Sequence, residues 1–359
     1  MDFTVRPDRG DHIIDLPRKV VVGVGVLEKV GDYMATLYGR GSSFLIITGP
    51  NVRGIALNTV LESLHDEGFN AWDSIVNDVS VDTAARVAEE ASKDSVDAII
   101  GLGGGKSIDV AKYAAKTGGK AFISIPTAAS HDGITSPYAS LKGFDRPVSR
   151  LAKAPDAIII DVKVVASAPR RYNIAGFGDL IGKITAVRDW RLASMLKGEY
   201  YGDYAASLAL MSATHVSTYY REIAAGSLEG YRILLEALVS SGVAMCIAGS
   251  TRPASGSEHL FAHALTMTAK NPPLHGEAVG VGTIIMASLH GLNWRKIRKL
   301  LKTVGAPTNA RELGVTSDEV VKALTIAPTI RPDRYTILGD KPLEESVAYN
   351  LARKVEVID

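Results

Sequence analysis

The sequence predicts an α/β protein in two parts: residues 1–169 form a domain built on a parallel sheet, and residues 170–359 form an all-helical domain. Three observations predict this. From Lys19 to Ile125, short β-branched runs alternate with longer segments whose apolar residues recur three and four apart, the pattern of parallel strands joined by covering helices. From Asp179 onward the strand-like runs give way to long apolar segments at helical spacing. The 359 residues, 46% apolar and 22% charged, hold enough core for one large or two medium domains and exclude a disordered or collagen-like chain.

The candidate strands, in order, are residues 20–22, 44–48, 72–76, 98–101 and 121–125, separated by helical stretches at 51–65, 82–91 and 106–115. In the last of these, Ile108, Ala111 and Ala115 repeat on one face, as do Val110 and Ala114. A joining stretch, 131–172, is rich in Pro, Gly, Ser and basic residues around one further strand at 157–160, and the boundary is read near Pro169. Beyond it, residues 201–220 and 228–248 read as long helices.

Charge narrows the function classes. Forty Lys plus Arg balance 39 Asp plus Glu, and a net charge of +1 offers no field for holding nucleic acid or an anionic membrane. No apolar run is read as reaching the ~20 residues that span a bilayer, and the charged start MDFTVRPDRG does not resemble a leader, so a cytoplasmic protein without membrane insertion is expected. The single cysteine, Cys246, excludes an internal disulfide framework and reads as a buried thiol in a reducing compartment.

The segment DAIIGLGGGKSIDVAKYAA places Gly103, Gly104 and Gly105 between a buried strand and a helix that begins near Lys106. Chain without Cβ atoms can approach a phosphate closely, and the unpaired amides and positive end of the helix favour an anion. The P-loop pattern fails because Ile100 stands where it needs glycine, and the Rossmann pattern fails because Lys106 holds its last glycine position. A plain strand-to-helix turn explains the glycines equally well. A second small, hydroxyl-bearing loop, Pro126-Thr127-Ala128-Ala129-Ser130, follows the next strand and opens at the same carboxyl edge of a parallel sheet, where such folds bind ligands.

Of eight histidines, His259, His263 and His275 lie close together. Ser255-Gly256-Ser257-Glu258 reads as a capping box, which starts a helix at Gly256 with His259 and His263 one turn apart on one face. His259 in the first turn is expected to stay neutral, because the positive helix end disfavours imidazolium. A turn at Asn271-Pro272-Pro273 can bring His275 back beside it, and Asp179 in Gly176-Phe177-Gly178-Asp179 is the best third ligand. Three protein ligands leave a position open for substrate, the arrangement of a catalytic zinc. The alternative is that these are ordinary surface or core histidines and that Asp179 is an N-cap. His65 and His290 are assigned that ordinary role.

Gly103-Gly104-Gly105 with Ser107 and Asp109, Thr127-Ala128-Ala129-Ser130 with Asp132, Gly178-Asp179, His259 with His263, and His275-Gly276-Glu277 together resemble the glycerol-dehydrogenase and dehydroquinate-synthase-like superfamily. Within it they are most similar to the sn-glycerol-1-phosphate dehydrogenases. The resemblance implies NAD(P)(H)-linked, zinc-dependent reduction of dihydroxyacetone phosphate to sn-glycerol 1-phosphate for archaeal-type membrane phospholipids, in a cytoplasmic homo-oligomer. By position it assigns Gly49, Gly103, Gly104, Gly105, Lys106, Ser107, Asp109, Thr127, Ala128, Ala129, Ser130 and Ser136 to the cofactor, Asp179, His259 and His275 to Zn2+, and Asp132 and His263 to substrate and catalysis. Arg252 and Lys183 are the cations chosen for the substrate phosphate, beside Asp179 in the substrate set.

Two departures matter. Iron-dependent relatives carry a histidine four residues after the aspartate, where this chain has Lys183, which favours a three-ligand zinc site. NAD-specific members carry an aspartate where this chain has Gly49, so NADPH is expected to serve at least as well as NADH, with Arg53 near enough in sequence to help. The rival readings are a glycerol or other polyol dehydrogenase of the same superfamily and a non-catalytic nucleotide-binding metalloprotein.

Overall fold

The computed structural model describes residues 12–143 and 149–359, so the charged N-terminal decapeptide lies outside the described residues. The described residues form two compact units, one of Leu16–Asn173 with Gly226–Val243, the other of Ile174–Ala225 with Ala244–Asp359 and residues 12–15. The chain crosses from one to the other beside the expected boundary, but a single cut does not describe it. The long helix Leu228–Ala248 is shared between them, and periodicity that marks a helix does not reveal which core it joins.

The first unit is built on six parallel strands: β1 (Lys19–Gly23), β2 (Ser43–Thr48), β3 (Asn70–Ile75), β4 (Ala98–Gly103), β5 (Ala121–Pro126) and β8 (Ala157–Asp161). A two-stranded ribbon, β6 (Tyr138–Ala139) with β7 (Arg150–Leu151), stands apart from them. The sheet order is β1-β8-β5-β4-β2-β3, with every pair parallel. Central strands covered on both faces need continuous apolar runs, which is why β2, β4 and β8 read SFLIIT, AIIGLG and AIIID. One face packs Ile46, Ile100, Ile123 and Ile159 against Val30, Leu57, Val60 and Leu64.

The order also creates a switch point. From β2 the chain leaves toward the edge strand β3, whereas from neighbouring β4 it leaves toward β5 on the other side. Their outgoing loops therefore diverge and open a crevice at the carboxyl edge, the position where open α/β sheets take ligands.

The described residues of the second unit form helices joined by loops, with no strand among them. Its helix Arg170–Ile181 meets the helix His275–Leu289 through two glycines: a Cβ on Gly276 would stand 1.9 Å from the Ala175 carbonyl oxygen, and one on Gly178 would stand 2.2 Å from that of Gly276. Only bare backbone fits such an approach. Gly178 precedes Asp179 and Gly276 follows His275, so this contact sets the two side chains against each other. Leu228–Ala248 proves long and apolar enough to cross a membrane, contrary to the sequence reading, and 67% of its most apolar window is buried.

Because the glycine contact is between backbones that cannot yield, Gly276→Ala is expected to destabilise the protein by about 3 kcal/mol or more. Gly54→Ala, where a Cβ meets nothing within 4 Å, should be close to neutral. Denaturant titration of both variants checks the contrast.

Candidate active site

At the carboxyl edge of the sheet the loops after β2, β4 and β5 come side by side. The Thr127 amide donates to the Gly103 carbonyl at 3.0 Å, joining two of them. A Cβ on Gly49 would find the Ser107 hydroxyl 3.9 Å away, which places the third alongside. Gly103 has φ +149°, and a Cβ there would stand 2.8 Å from Ser107 Oγ, so glycine is required both for conformation and for space. The helix Gly105–Thr117 starts immediately afterwards with Gly104 as N-cap and no side chain capping it. An uncapped helix start leaves amides unpaired and so suits an anion.

The other residues assigned to the cofactor fall around this edge in different ways. Lys106 is exposed in the first helical turn and Ser107 is buried beneath it. Asp109 is directed into the protein, accepting from the Ser140 amide at 3.1 Å and facing buried Lys112 at 3.5 Å. Lys112 in turn donates to the Gly133 and Tyr138 carbonyls at 2.7 Å, so the pair holds the 132–140 segment in shape. The Ala129 amide, beside Ala128 and Ser130, donates to Asn173 at 2.9 Å. Ser136 belongs to the short turn after Asp132, whose carboxylate accepts from Ser241 at 2.8 Å. The sequence reading missed His131: its ring lies against Gly105, and its Nδ1 accepts from the Gly133 amide at 2.9 Å.

In the helical unit, Asp179, His259 and His275 converge, each offering a ligand atom within 4.8 Å of the others. Asp179 Oδ1 faces His259 Nε2 at 3.3 Å and His275 Nε2 at 4.0 Å. The other oxygen, Oδ2, accepts from the Lys183 ammonium at 3.1 Å, and Lys183 also donates to the Ala254 carbonyl at 3.1 Å. Lys183, one helical turn after Asp179, therefore spends its charge on that carboxylate rather than leaving it for a phosphate.

The cap of the helix Ser257–Thr268 differs from the expected box. Gly256 is the N-cap, one residue later than read, and Ser255 caps nothing with its side chain. Glu258 Oε1 instead accepts from the Gly256 amide at 2.6 Å and from His259 Nδ1 at 2.8 Å, while its other oxygen accepts from Thr185 at 2.6 Å. Since a carboxylate only accepts, the proton of a neutral His259 sits on Nδ1 and the Nε2 lone pair points at Asp179 and His275. That is the carboxylate–histidine arrangement that orients metal ligands. The donor set, two imidazole lone pairs and one carboxylate oxygen in a buried cluster, suits a divalent cation of the zinc class.

Electrostatics agree with the geometry. Burial raises the Asp179 carboxyl, but Lys183 and the two histidines outweigh it and hold the group well below its usual range. For His259 the helix-end expectation fails: burial pushes the ring down, yet bonds to Asp179 and Glu258 overcome it and raise its affinity for a proton. His263, one turn on, lies 5.5 Å from the His275 ring, centre to centre. Burial, with the charges of His259, Arg334 and Arg331, pushes it down to about 3, so it stays neutral.

Arg252 is buried but already clamped by both Glu199 oxygens and the Tyr335 carbonyl. His65 and His290 have ordinary partners, the Ala71 carbonyl and Asp189 respectively, each at 3.0 Å.

The sequence pattern of the iron-containing alcohol dehydrogenases matches residues 21–169. The glycerol dehydrogenase of Schizosaccharomyces pombe superposes with a TM-score of 0.78 at 22% identity, covering 96% of this chain and 90% of that one. The fold is thus that of the glycerol and alcohol dehydrogenases of known structure. A glycerol-1-phosphate dehydrogenase of the NAD(P)+ type from Aeropyrum pernix is 67% identical over 97% of this chain and 99% of its own length. One from Sulfurisphaera tokodaii is 54% identical over the same shares. The chain belongs to the glycerol-1-phosphate dehydrogenase family.

His263 in the folded chain binds its proton far more weakly than an unfolded histidine, whose value is near 6.5. The stability this contributes is full above that value and is lost as pH falls toward 3, because the unfolded chain takes up the proton first. The Tm of metal-free protein should therefore fall less steeply from pH 7 to 4 in His263→Gln than in wild type.

Proposed function

We propose that this chain reduces dihydroxyacetone phosphate to sn-glycerol 1-phosphate with NADPH or NADH, using a zinc ion held by Asp179, His259 and His275. The observation that carries this reading is the three-donor cluster with Lys183 in the fourth place, in a chain 67% identical to an enzyme named for glycerol 1-phosphate. When bound, the dication supplies polarisation of the substrate carbonyl and the reduced nicotinamide supplies the hydride.

The protein's own groups do the rest. Free amides at the start of the Gly105–Thr117 helix, with the turns at Gly49 and Thr127, hold the cofactor phosphates. Glu258 keeps the His259 lone pair aimed at the cluster. Neutral His263 has one nitrogen that donates and one that accepts, so it relays a proton to the new hydroxyl without becoming charged. The product serves as the backbone of archaeal-type phospholipids, a role that the family resemblance supports, and the reaction is assigned to the cytoplasm.

The test is oxidation of NAD(P)H with dihydroxyacetone phosphate, followed by chiral analysis of the product, which should be the sn-1 isomer. Faster turnover of dihydroxyacetone or glycerol than of the phosphate esters would replace this reading with a polyol dehydrogenase. His275→Ala should lose bound metal and turnover while NADPH binding stays within about threefold, because the glycine turn lies in the other unit. Full activity in metal-free protein would overturn the zinc assignment.

Cofactor choice has its own test. Gly49 is extended, φ −95° and ψ 160°, and a Cβ there meets only the Ser107 hydroxyl, at 3.9 Å. Arg53 is ion-paired with Asp73 at 3.4 Å, so the absence of a carboxylate at Gly49 matters more than that arginine. Gly49→Asp should shift the kcat/KM ratio toward NADH by roughly tenfold or more, about 1.4 kcal/mol of charge repulsion.

A further inference from the structure

Two arginines are buried together in the helical unit, and among the described residues only one has a carboxylate at ion-pair distance. Arg252, 3% exposed, is neutralised by Glu199. Arg334, 6% exposed, donates from Nη1 to the Ser255 carbonyl at 2.6 Å and from Nη2 to Thr251 Oγ1 at 2.6 Å, and among the described residues no carboxylate lies within 4.0 Å of it. A guanidinium has five donor hydrogens, of which these bonds use two. Glu199 and Asp333 act on this guanidinium only from beyond ion-pair distance, and a buried charge with no direct counter-ion is costly and is relieved where an anion completes it.

The place of this cation is informative. Ser255 immediately precedes Gly256, the N-cap of the helix that carries His259 and His263, so the guanidinium is pinned to the same loop that starts the candidate metal site. Arg331, three residues earlier in the chain, pairs with Asp333 at 3.1 Å on a side chain still 26% exposed. The two cations chosen from sequence for the substrate phosphate are both engaged, Arg252 by Glu199 and Lys183 by Asp179. In dihydroxyacetone phosphate the phosphoryl group is one oxymethylene from the carbonyl carbon that is reduced, so its counter-cation has to sit beside the metal ligands.

We propose that Arg334 binds the phosphoryl group of the substrate, with Arg331 as a second cation at the rim of that site. This deepens the proposed function and rests on it for the identity of the substrate, though not for the existence of an anion site. Planar guanidinium donors match phosphate oxygens in pairs, which an ammonium does not, so Arg334→Lys is not a neutral exchange.

The experiment compares wild type, Arg334→Gln and Arg331→Gln with dihydroxyacetone phosphate and with dihydroxyacetone, alongside thermal melts with inorganic phosphate as the probe. Arg334→Gln should lose on the order of 100-fold in kcat/KM for the phosphate ester and less than threefold for dihydroxyacetone, with zinc content unchanged. Arg331→Gln, on a partly exposed side chain that the core does not need, should raise KM for the ester roughly tenfold with kcat preserved. Inorganic phosphate should raise the Tm of wild type and not that of Arg334→Gln.

An unchanged ratio of ester to dihydroxyacetone in both variants overturns the proposal, as does an equal phosphate shift in Arg334→Gln and wild type. If Arg334→Gln fails to fold, the Arg331→Gln ratio decides. If wild type does not reduce the ester at all but phosphate still protects it through Arg334, the anion site stands and the substrate reading fails.

Discussion

Three carboxylates, Asp179, Asp189 and Glu258, are almost wholly removed from water around the start of one helix, and the helical unit is organised by how each is satisfied. Asp189 accepts from the Ser257 amide and hydroxyl at 2.7 and 2.6 Å, from the Ile337 amide at 2.7 Å and from His290 at 3.0 Å. It thereby ties four separate stretches of chain together. Glu258 takes the next amide and the His259 proton, and Asp179 takes Lys183. Buried carboxylates are tolerable only with such donors, and removing one donor leaves a charge without solvation. The positions of His259 and His275 follow from this arrangement, with the Gly178 and Gly276 contact bringing their helices within reach.

The same accounting explains why the cluster suits a dication. Asp179 and Glu258 bring two negative charges and Lys183 only one positive charge, so the centre has charge to spare, and the raised His259 is the protein's own response to it. Lysine in place of a fourth ligand does two things at once: it removes a donor from the coordination sphere, and it holds Asp179 Oδ2 so that Oδ1 alone faces the imidazoles. Three donors and an open position are what a catalytic zinc uses, whereas a closed four-ligand set is structural.

The sheet solves a different problem by a different means. The phosphate site proposed there depends on backbone rather than on charge: an uncapped helix start, a glycine at φ +149°, and two neighbouring loops brought level by parallel register. Asp109 and Lys112, which stand within that motif, bond to the 132–140 segment and so act as its support.

Read alone, the sequence determined the parallel strands, the glycine turn, and the set Asp179, His259 and His275, because each rests on local pattern: β-branched runs, residues without Cβ, and histidines spaced by one helical turn. It could not determine that Glu258 would turn from cap to histidine partner, since both acceptor roles look alike until His259 is placed beside it. Nor could it choose among the arginines. Arg252 was nearest in sequence to the metal helix, but burial against Glu199 neutralised it, and Arg334, far along the chain, was brought to Ser255 with no carboxylate within ion-pair distance among the described residues. Which charges are compensated is a property of distances between segments remote in sequence, and only the tertiary structure sets those distances.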